Sequence, residues 1–202
     1  MPDIMLIFAF LFLMLGPFKI IGPFAKMTQN TDTDIIRQLA IRSIIFSTVA
    51  LIIAGLIGET ILRKYGIPLP ILGIAGGIIL FLVALLNIIQ QFAPIEAHEK
   101  NVITPTLSMA INPLAFPTIV TPYGIAAVIF ILAYSPDITS KLQVGVIVLG
   151  IMVVNLVIML ITRYVFKFLA IFLSILGAIL GVIQVALGLL IINNQLRILL
   201  NS

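Results

Sequence analysis

Proline and glycine cluster twice inside otherwise apolar sequence, and each cluster carries groups that could hold a polar solute. The first reads Leu15-Gly16-Pro17-Phe18-Lys19-Ile20-Ile21-Gly22-Pro23-Phe24. The second reads Asn112-Pro113-Leu114-Ala115-Phe116-Pro117, followed by Thr121-Pro122-Tyr123-Gly124. Proline lacks an amide donor and clashes with the turn before it, so each cluster ends one short helix before the next begins. The amides at a half-helix N-terminus attract an anion, and the carbonyls at a half-helix C-terminus attract a cation. A zwitterion needs both. The candidate binding residues are therefore Gly16, Pro17, Lys19, Gly22 and Pro23 at the first break. At the second they are Asn112, Pro113, Pro117, Thr121, Pro122 and Gly124. Gly16, Gly22 and Gly124 would let a small ligand approach the backbone. Lys19 has two readings: an anion partner inside the protein, or a residue at the end of a short first span.

Polar residues elsewhere in the apolar runs are few. Asn87, Asn155 and Gln184 are candidates to line a path, with Ser47, Thr48, Ser108 and Thr118 behind them. The competing reading is helix–helix hydrogen bonding, worth about 0.6 kcal/mol and up to about 2 kcal/mol. Gly73, Gly76, Gly77, Gly177, Gly181 and Gly188 read as close-packing positions between helices. All seven acidic residues (Asp3, Asp32, Asp34, Glu59, Glu96, Glu99 and Asp137) fall in expected loops or near span ends, which leaves no buried carboxylate as a proton relay or cation site. The single histidine, His98, sits among Glu96, Glu99 and Lys100 and reads as solvated. No span clusters His, Cys or carboxylate ligands for a metal, and Ser108 has no base beside it, so neither catalytic residues nor a cofactor are expected.

The elements that must position these residues follow from composition. Hydrophobic residues are 62% of the 202-residue chain and charged residues 9%, with a mean hydropathy of +1.31. Soluble domains carry about 25% charged residues. The chain therefore reads as an integral membrane protein, with the lipid bilayer as its first partner and the cell (plasma or inner) membrane as its expected location. Cysteine is absent, and basic residues are too scattered for a nucleic-acid stripe. With no Lys or Arg before Lys19, the N-terminus lacks the basic region of a cleaved signal and reads as a retained helix.

Uncharged runs mark the spans at 4–18, 43–58, 65–95, 101–136, 142–162 and 168–196. The second starts near Asp34, with Thr33 or Asp34 as N-cap. The third follows the turn-like Gly66-Ile67-Pro68-Leu69-Pro70. As one straight helix, run 101–136 would extend about 54 Å against a hydrocarbon core of about 30 Å. Its prolines resolve the conflict by dividing it.

The chain also repeats. An offset of 96 sets Pro17 on Pro113, one near 101 lays Ile74–Leu80 over Ile175–Gly181, and one of 100 aligns Arg63 with Arg163. The same order recurs: broken helix, basic-ended helix, small-residue helix. An odd number of spans per repeat inverts the second copy. The expected fold is all-α, with six transmembrane helices as two inverted three-helix repeats, about 1–95 and about 101–196, in one domain. Loops after spans one, three and five carry Lys26, Arg37, Lys100, Arg163 and Lys167, against Arg63, Lys64, Lys141 and Arg197 on the other side. The positive-inside rule then places both termini outside the cytoplasm.

The Gly-Pro-Phe-Lys-Ile-Ile-Gly-Pro-Phe segment, the Asn-Pro-Leu-Ala-Phe-Pro-Thr-Ile-Val-Thr-Pro-Tyr-Gly segment and Ile74–Leu82 resemble signature segments of the MarC family, also called the SnatA or neutral amino-acid transporter family. The resemblance covers the whole chain in length and span order. Pro113, Pro117, Pro122 and Gly124 match the Pro-Leu-Ala-x-Pro-x-x-x-x-Pro-x-Gly pattern. The first segment departs from the commoner Asp-Pro-x-Gly-Asn-x-Pro: Gly16 replaces the acid, and Lys19 and Ile20 occupy the Gly-Asn positions. The resemblance implies inverted repeats and, for some members, transport of glycine, alanine and similar amino acids. The leading expectation is a secondary transporter of small neutral amino acids working by alternating access. Transport or conduction of another solute, such as an anion drawn by Lys19, is the first alternative. A non-transporting membrane subunit is the second. Direction, coupling ion and homo-oligomeric state are left open by the sequence.

Overall fold

A computed structural model describes residues 4–28, 31–92 and 106–201, without the side chains of 90–92, 163–174 and 176. Asp3, Glu96, His98, Glu99, Lys100 and the side chains of Arg163 and Lys167 lie outside the described residues. The protein is all-α. Helices α1 (Ile4–Leu15) and α2 (Phe18–Met27) meet at Gly16-Pro17, and α3 (Thr33–Tyr65) and α4 (Leu69–Phe92) follow. A single tight turn (Leu107–Ala110) and an irregular segment (Ile111–Ile119) lead into α5 (Pro122–Tyr134), and α6 covers Ile138–Leu200. Among the described residues, five stretches are long and apolar enough to cross a membrane: Ile4–Met27, Thr33–Tyr65, Leu69–Ile89, Ile138–Thr162 and Gly177–Leu200. The pair Leu107–Ile119 and Pro122–Tyr134, bent by 63°, makes up to a sixth.

Local chemistry explains where the helices stop. Gly66 takes φ 61° as the left-handed cap of α3. Its amide reaches the Arg63 carbonyl at 3.3 Å, and the Ile67 amide reaches that of Leu62 at 3.0 Å. This closure needs φ > 0, which glycine adopts without strain, and Pro68 then prevents continuation. The α3 N-cap is Asp32, not Thr33 or Asp34, because the Asp32 carbonyl already accepts the Ile36 amide at 3.0 Å. Asp137 caps α6 by accepting the Ser140 amide at 3.0 Å and hydroxyl at 2.7 Å.

The long helical run of α6 supplies two spans. Asn155 and Gln184 both donate to α1, to the carbonyls of Leu15 and Leu13. Straight helix would separate these donors by about 43 Å, whereas their acceptors are neighbours on one turn. The run is therefore folded back on itself between the stretches Ile138–Thr162 and Gly177–Leu200.

α4 packs chiefly against α6, and glycines set how closely. A Cβ on Gly188 would stand 2.9 Å from the Gly77 carbonyl oxygen and 2.9 Å from the Phe81 amide nitrogen. The two backbones thus touch, as small-residue faces allow in hydrocarbon, where dispersion replaces hydrophobic driving force. Among the described residues, nothing lies within 4 Å of a Cβ placed on Gly177.

The buried core gathers around the breaks, with Leu11, Met14, Leu15, Ile20, Leu114 and Tyr123 in one cluster. Large apolar side chains such as Phe46, Ile52, Leu56 and Val153 face outward. In a membrane protein that surface meets lipid.

The expectation of no buried carboxylate is overturned by Glu59, which is 8% exposed. The antiparallel packing of α3 and the start of α6 brings the Lys141 ammonium onto it. Arg63, one turn on, adds Nε at 3.1 Å and Nη2 at 2.9 Å. Burial is tolerable because the charge is paired by two cations.

Candidate functional site

The two breaks are built differently. At the first, α1 simply stops: the Gly16 amide bonds the Phe12 carbonyl at 2.8 Å, and Pro17 restarts the chain as the N-cap of α2. A Cβ on Gly16 would lie 2.1 Å from the Phe12 carbonyl oxygen, so only glycine fits there. At the second, Asn112 (φ −129°, ψ 118°) and Phe116 (φ −130°, ψ 130°) leave helical conformation. Each precedes a proline, whose Cδ disfavours the α region for its predecessor. Both X-Pro bonds are cis. The Val120 amide then reaches the Ala115 carbonyl at 2.8 Å, and the Thr118 hydroxyl reaches that of Pro113 at 2.8 Å. Thr121 ends the break. Its hydroxyl accepts the Gly124 amide at 3.1 Å, and Pro122 occupies the first helical position, where a missing amide costs nothing.

The breaks meet through Lys19 and Tyr123. The Lys19 ammonium donates to the Tyr123 hydroxyl at 2.9 Å and stands 4.6 Å from the ring centre. It also donates to the Met14 carbonyl. Gly124 sits against α1, where an added Cβ would be 2.7 Å from Leu15 Cδ2. The structure thus assembles Gly16, Pro17, Lys19, Thr121, Tyr123 and Gly124 in one region.

Three successive carbonyls at the end of α1 are capped by three different side chains. Leu13 receives Gln184 Nε2 at 3.2 Å, Met14 receives Lys19, and Leu15 receives Asn155 Nδ2 at 2.8 Å. These carbonyls have no intrahelical partner because the helix ends. In hydrocarbon an unpaired carbonyl is costly, and pairing it across helices contributes about 0.6 kcal/mol, up to about 2 kcal/mol. Asn155 and Gln184, expected as path-lining residues, act here as caps. Asn155 is 1% exposed, and its Oδ1 accepts no hydrogen bond among the described residues.

The remaining sequence candidates make none of these contacts. Pro23, Asn112, Pro113, Pro117 and Pro122 are exposed, as is Asn87 on α4. Gly22 has nothing within 4 Å of an added Cβ among the described residues, so no close approach there requires it. Of the secondary candidates, Ser108 pairs with Thr106 at 2.8 Å, and Ser47 is fully buried with no partner among the described residues. Sequence reasoning missed Tyr123 as a site residue. The available signal was its hydroxyl, which needs a partner when buried in apolar sequence.

A cavity of about 1080 Å³ leads to this cluster. Ile4, Leu69, Tyr134, Ser135 and Ile198 line one end, and all stand at helix ends. Met14, Leu80 and Tyr123, all mid-span, line the other. The cavity therefore opens at the helix ends that carry Ile4 and Ile198 and stops at Tyr123, the hydrogen-bond partner of Lys19. No group of three or more metal-ligating side chains occurs among the described residues.

Comparison with known proteins agrees with this architecture. Residues 1–200 match the MarC family integral membrane protein family. A UPF0056 membrane protein of Methanocaldococcus jannaschii is 32% identical over 140 residues, covering 69% of this chain and 68% of the relative. Another from Aquifex aeolicus is 28% identical over 137 residues, covering 66% of this chain and 64% of the relative. A third, from Archaeoglobus fulgidus, is 28% identical over 139 residues, covering 68% and 65%. The matched part thus spans about two thirds of each relative's length. No solved structure matches. With the family matched from end to end and its two proline segments meeting at one buried cluster, the chain belongs to the MarC family of integral membrane proteins.

Proposed function

We propose that this protein is a secondary transporter of a small solute that bears a carboxylate, an α-amino acid first among them, and that it binds the solute where its two broken helices meet. The observation that carries the reading is the Lys19 ammonium. It lies within a membrane-crossing stretch and forms no ion pair with a carboxylate among the described residues. Charges inside membrane spans are costly and mark solute paths or counter-ion sites. An ammonium has three N–H donors, and two of them go to Met14 and Tyr123. The third has no partner among the described residues, and a carboxylate there would supply the missing negative charge. The cavity reaching Tyr123 from one face supports access from that side, and the polar contact that ends it supports a closed path to the other. Alternating access follows if the Lys19–Tyr123 contact opens as the mouth closes. Two inverted three-helix repeats, about 1–95 and about 101–196, would give the two halves that move.

The same geometry favours a second reading, transport of a simple inorganic anion, because Lys19 would attract one. The test is thermal unfolding of the detergent-purified protein with amino acids, simple carboxylates and inorganic anions, followed by flux in liposomes. A ligand that binds the folded state alone raises stability by about 2.7 kcal/mol at a hundred times its dissociation constant. Stabilisation and flux with an amino acid, lost in Lys19→Met, is the expected result. A response to chloride or phosphate alone selects the second reading. No flux of any solute returns the protein to a non-transporting role.

A further inference from the structure

The cavity wall says more about the solute than its floor does. Its polar lining groups sit at two levels. Tyr123 is at the floor. Ser135, Ser140, Gln143 and Gln195 belong to the ends of their helices, at the mouth. Between those levels the wall is apolar on every side: Ile7 and Phe10 from α1, Leu72 from α4, Phe130 from α5, Ile147 and Ile191 from α6. A volume of about 1080 Å³ lies just above the range of about 300 to about 1000 Å³ usual for sites that hold drug-sized ligands. Glycine would leave this belt untouched. A fully polar solute would lose hydration along it without compensation.

Resting on the carrier reading above, we infer that the solute is amphiphilic. One carboxylate sits at the Tyr123 floor and draws on the Lys19 ammonium bonded to that hydroxyl, and an apolar body of about four or more carbons fills the belt between floor and mouth, where each buried carbon adds affinity. Leucine-like amino acids and medium-chain carboxylates fit this description. Glycine and acetate engage the floor alone. Burying an aliphatic body of leucine size strengthens binding by about tenfold to about a hundredfold over glycine.

The test uses the full chain in lipid nanodiscs and follows its thermal midpoint against glycine, L-leucine, acetate, hexanoate and hexylammonium. Leucine and hexanoate should reach half-maximal stabilisation at about tenfold to about a hundredfold lower concentration than glycine and acetate. Ala126, on the cavity wall, offers a way to fill the belt. Ala126→Phe should remove most of leucine's advantage, and Ala126→Leu, a milder filler, serves if the first variant does not fold. Equal potency of glycine and leucine would overturn the inference and leave the carrier reading standing. Hexylammonium acting as strongly as hexanoate would mean that a chain enters the void without using the floor, and would also overturn it. No response to any carboxylate overturns both readings.

Discussion

Lys19 and Tyr123, 104 positions apart, are joined by a hydrogen bond of 2.9 Å that ties the break in the first span to the break in the fourth. The same ammonium caps the last turn of α1 at Met14. One side chain thus closes a helix end and bridges the two interrupted segments, and its partner Tyr123 stands at the end of the cavity. Lys19→Met should abolish stabilisation by carboxylates and cost about 1–3 kcal/mol of stability, because the Met14 carbonyl loses its donor. Tyr123→Phe keeps the ring and removes only the acceptor, so its cost should be smaller. Chemical unfolding of the two single variants and the double variant would measure the coupling. Additive effects would show that the contact contributes nothing.

Gln184→Leu and Asn155→Leu each uncap one carbonyl of α1, Leu13 and Leu15 respectively. Each should lower stability by about 0.6 kcal/mol, up to about 2 kcal/mol. Asn155→Leu should cost less, because it also removes the unpartnered Oδ1. Unfolding midpoints compared at fixed detergent concentration decide the order.

Two glycines of the last span should respond in opposite senses to the same change. Gly188→Ala drives a methyl into the backbone of α4, 2.9 Å from Gly77 O, and should destabilise or separate the helices. Gly177→Ala meets no neighbour among the described residues, lies in a helix, and should stabilise by up to about 1 kcal/mol. A thermal scan of both variants reads the difference.

Glu59→Gln leaves Lys141 and Arg63 without their carboxylate and should cost about 1–3 kcal/mol. Adding Lys141→Met should recover part of that loss, since it removes the cation left unpaired. No recovery would mean that Lys141 is solvated as well without Glu59 as with it.

Asp137 lies outside the spans, and its carboxyl is held below the usual range by the Ser140 hydroxyl first and the Ser140 amide second. A carboxyl depressed in the folded state stabilises above its unfolded value, about 3.9, and stops doing so as pH falls through the folded value. Asp137→Asn should therefore lower the thermal midpoint at neutral pH, with the gap to the parent protein narrowing toward the lower end of the acid range. A constant gap across pH would argue against this cap.

How much of this could be read beforehand differs by feature. The class was plain from composition, since 9% charged residues cannot cover a water-exposed surface. Both breaks were legible because proline's missing amide and its clash with the previous turn act locally, whatever the neighbours. The αL cap at Gly66 and the stop at Pro68 are local in the same sense. Glu59 misled because its position near a helix end suggests solvent. Only the arrival of Lys141, 82 residues later, makes it a buried ion pair.

The sequence by itself determined that this is an all-α membrane protein of the MarC family whose first and fourth spans are interrupted at Gly/Pro clusters. Those properties depend on hydropathy, on backbone chemistry within a few residues, and on motifs a few residues long. Tertiary structure alone decided that Lys19 bonds Tyr123, that Asn155 and Gln184 donate to the last carbonyls of α1, and that an apolar cavity ends at Tyr123. Each of these joins residues far apart in the chain, and apolar helices of similar composition can pack in many registers. The physical reason is that side-chain partners in hydrocarbon are chosen by which helix faces meet, and that choice is made by the fold as a whole.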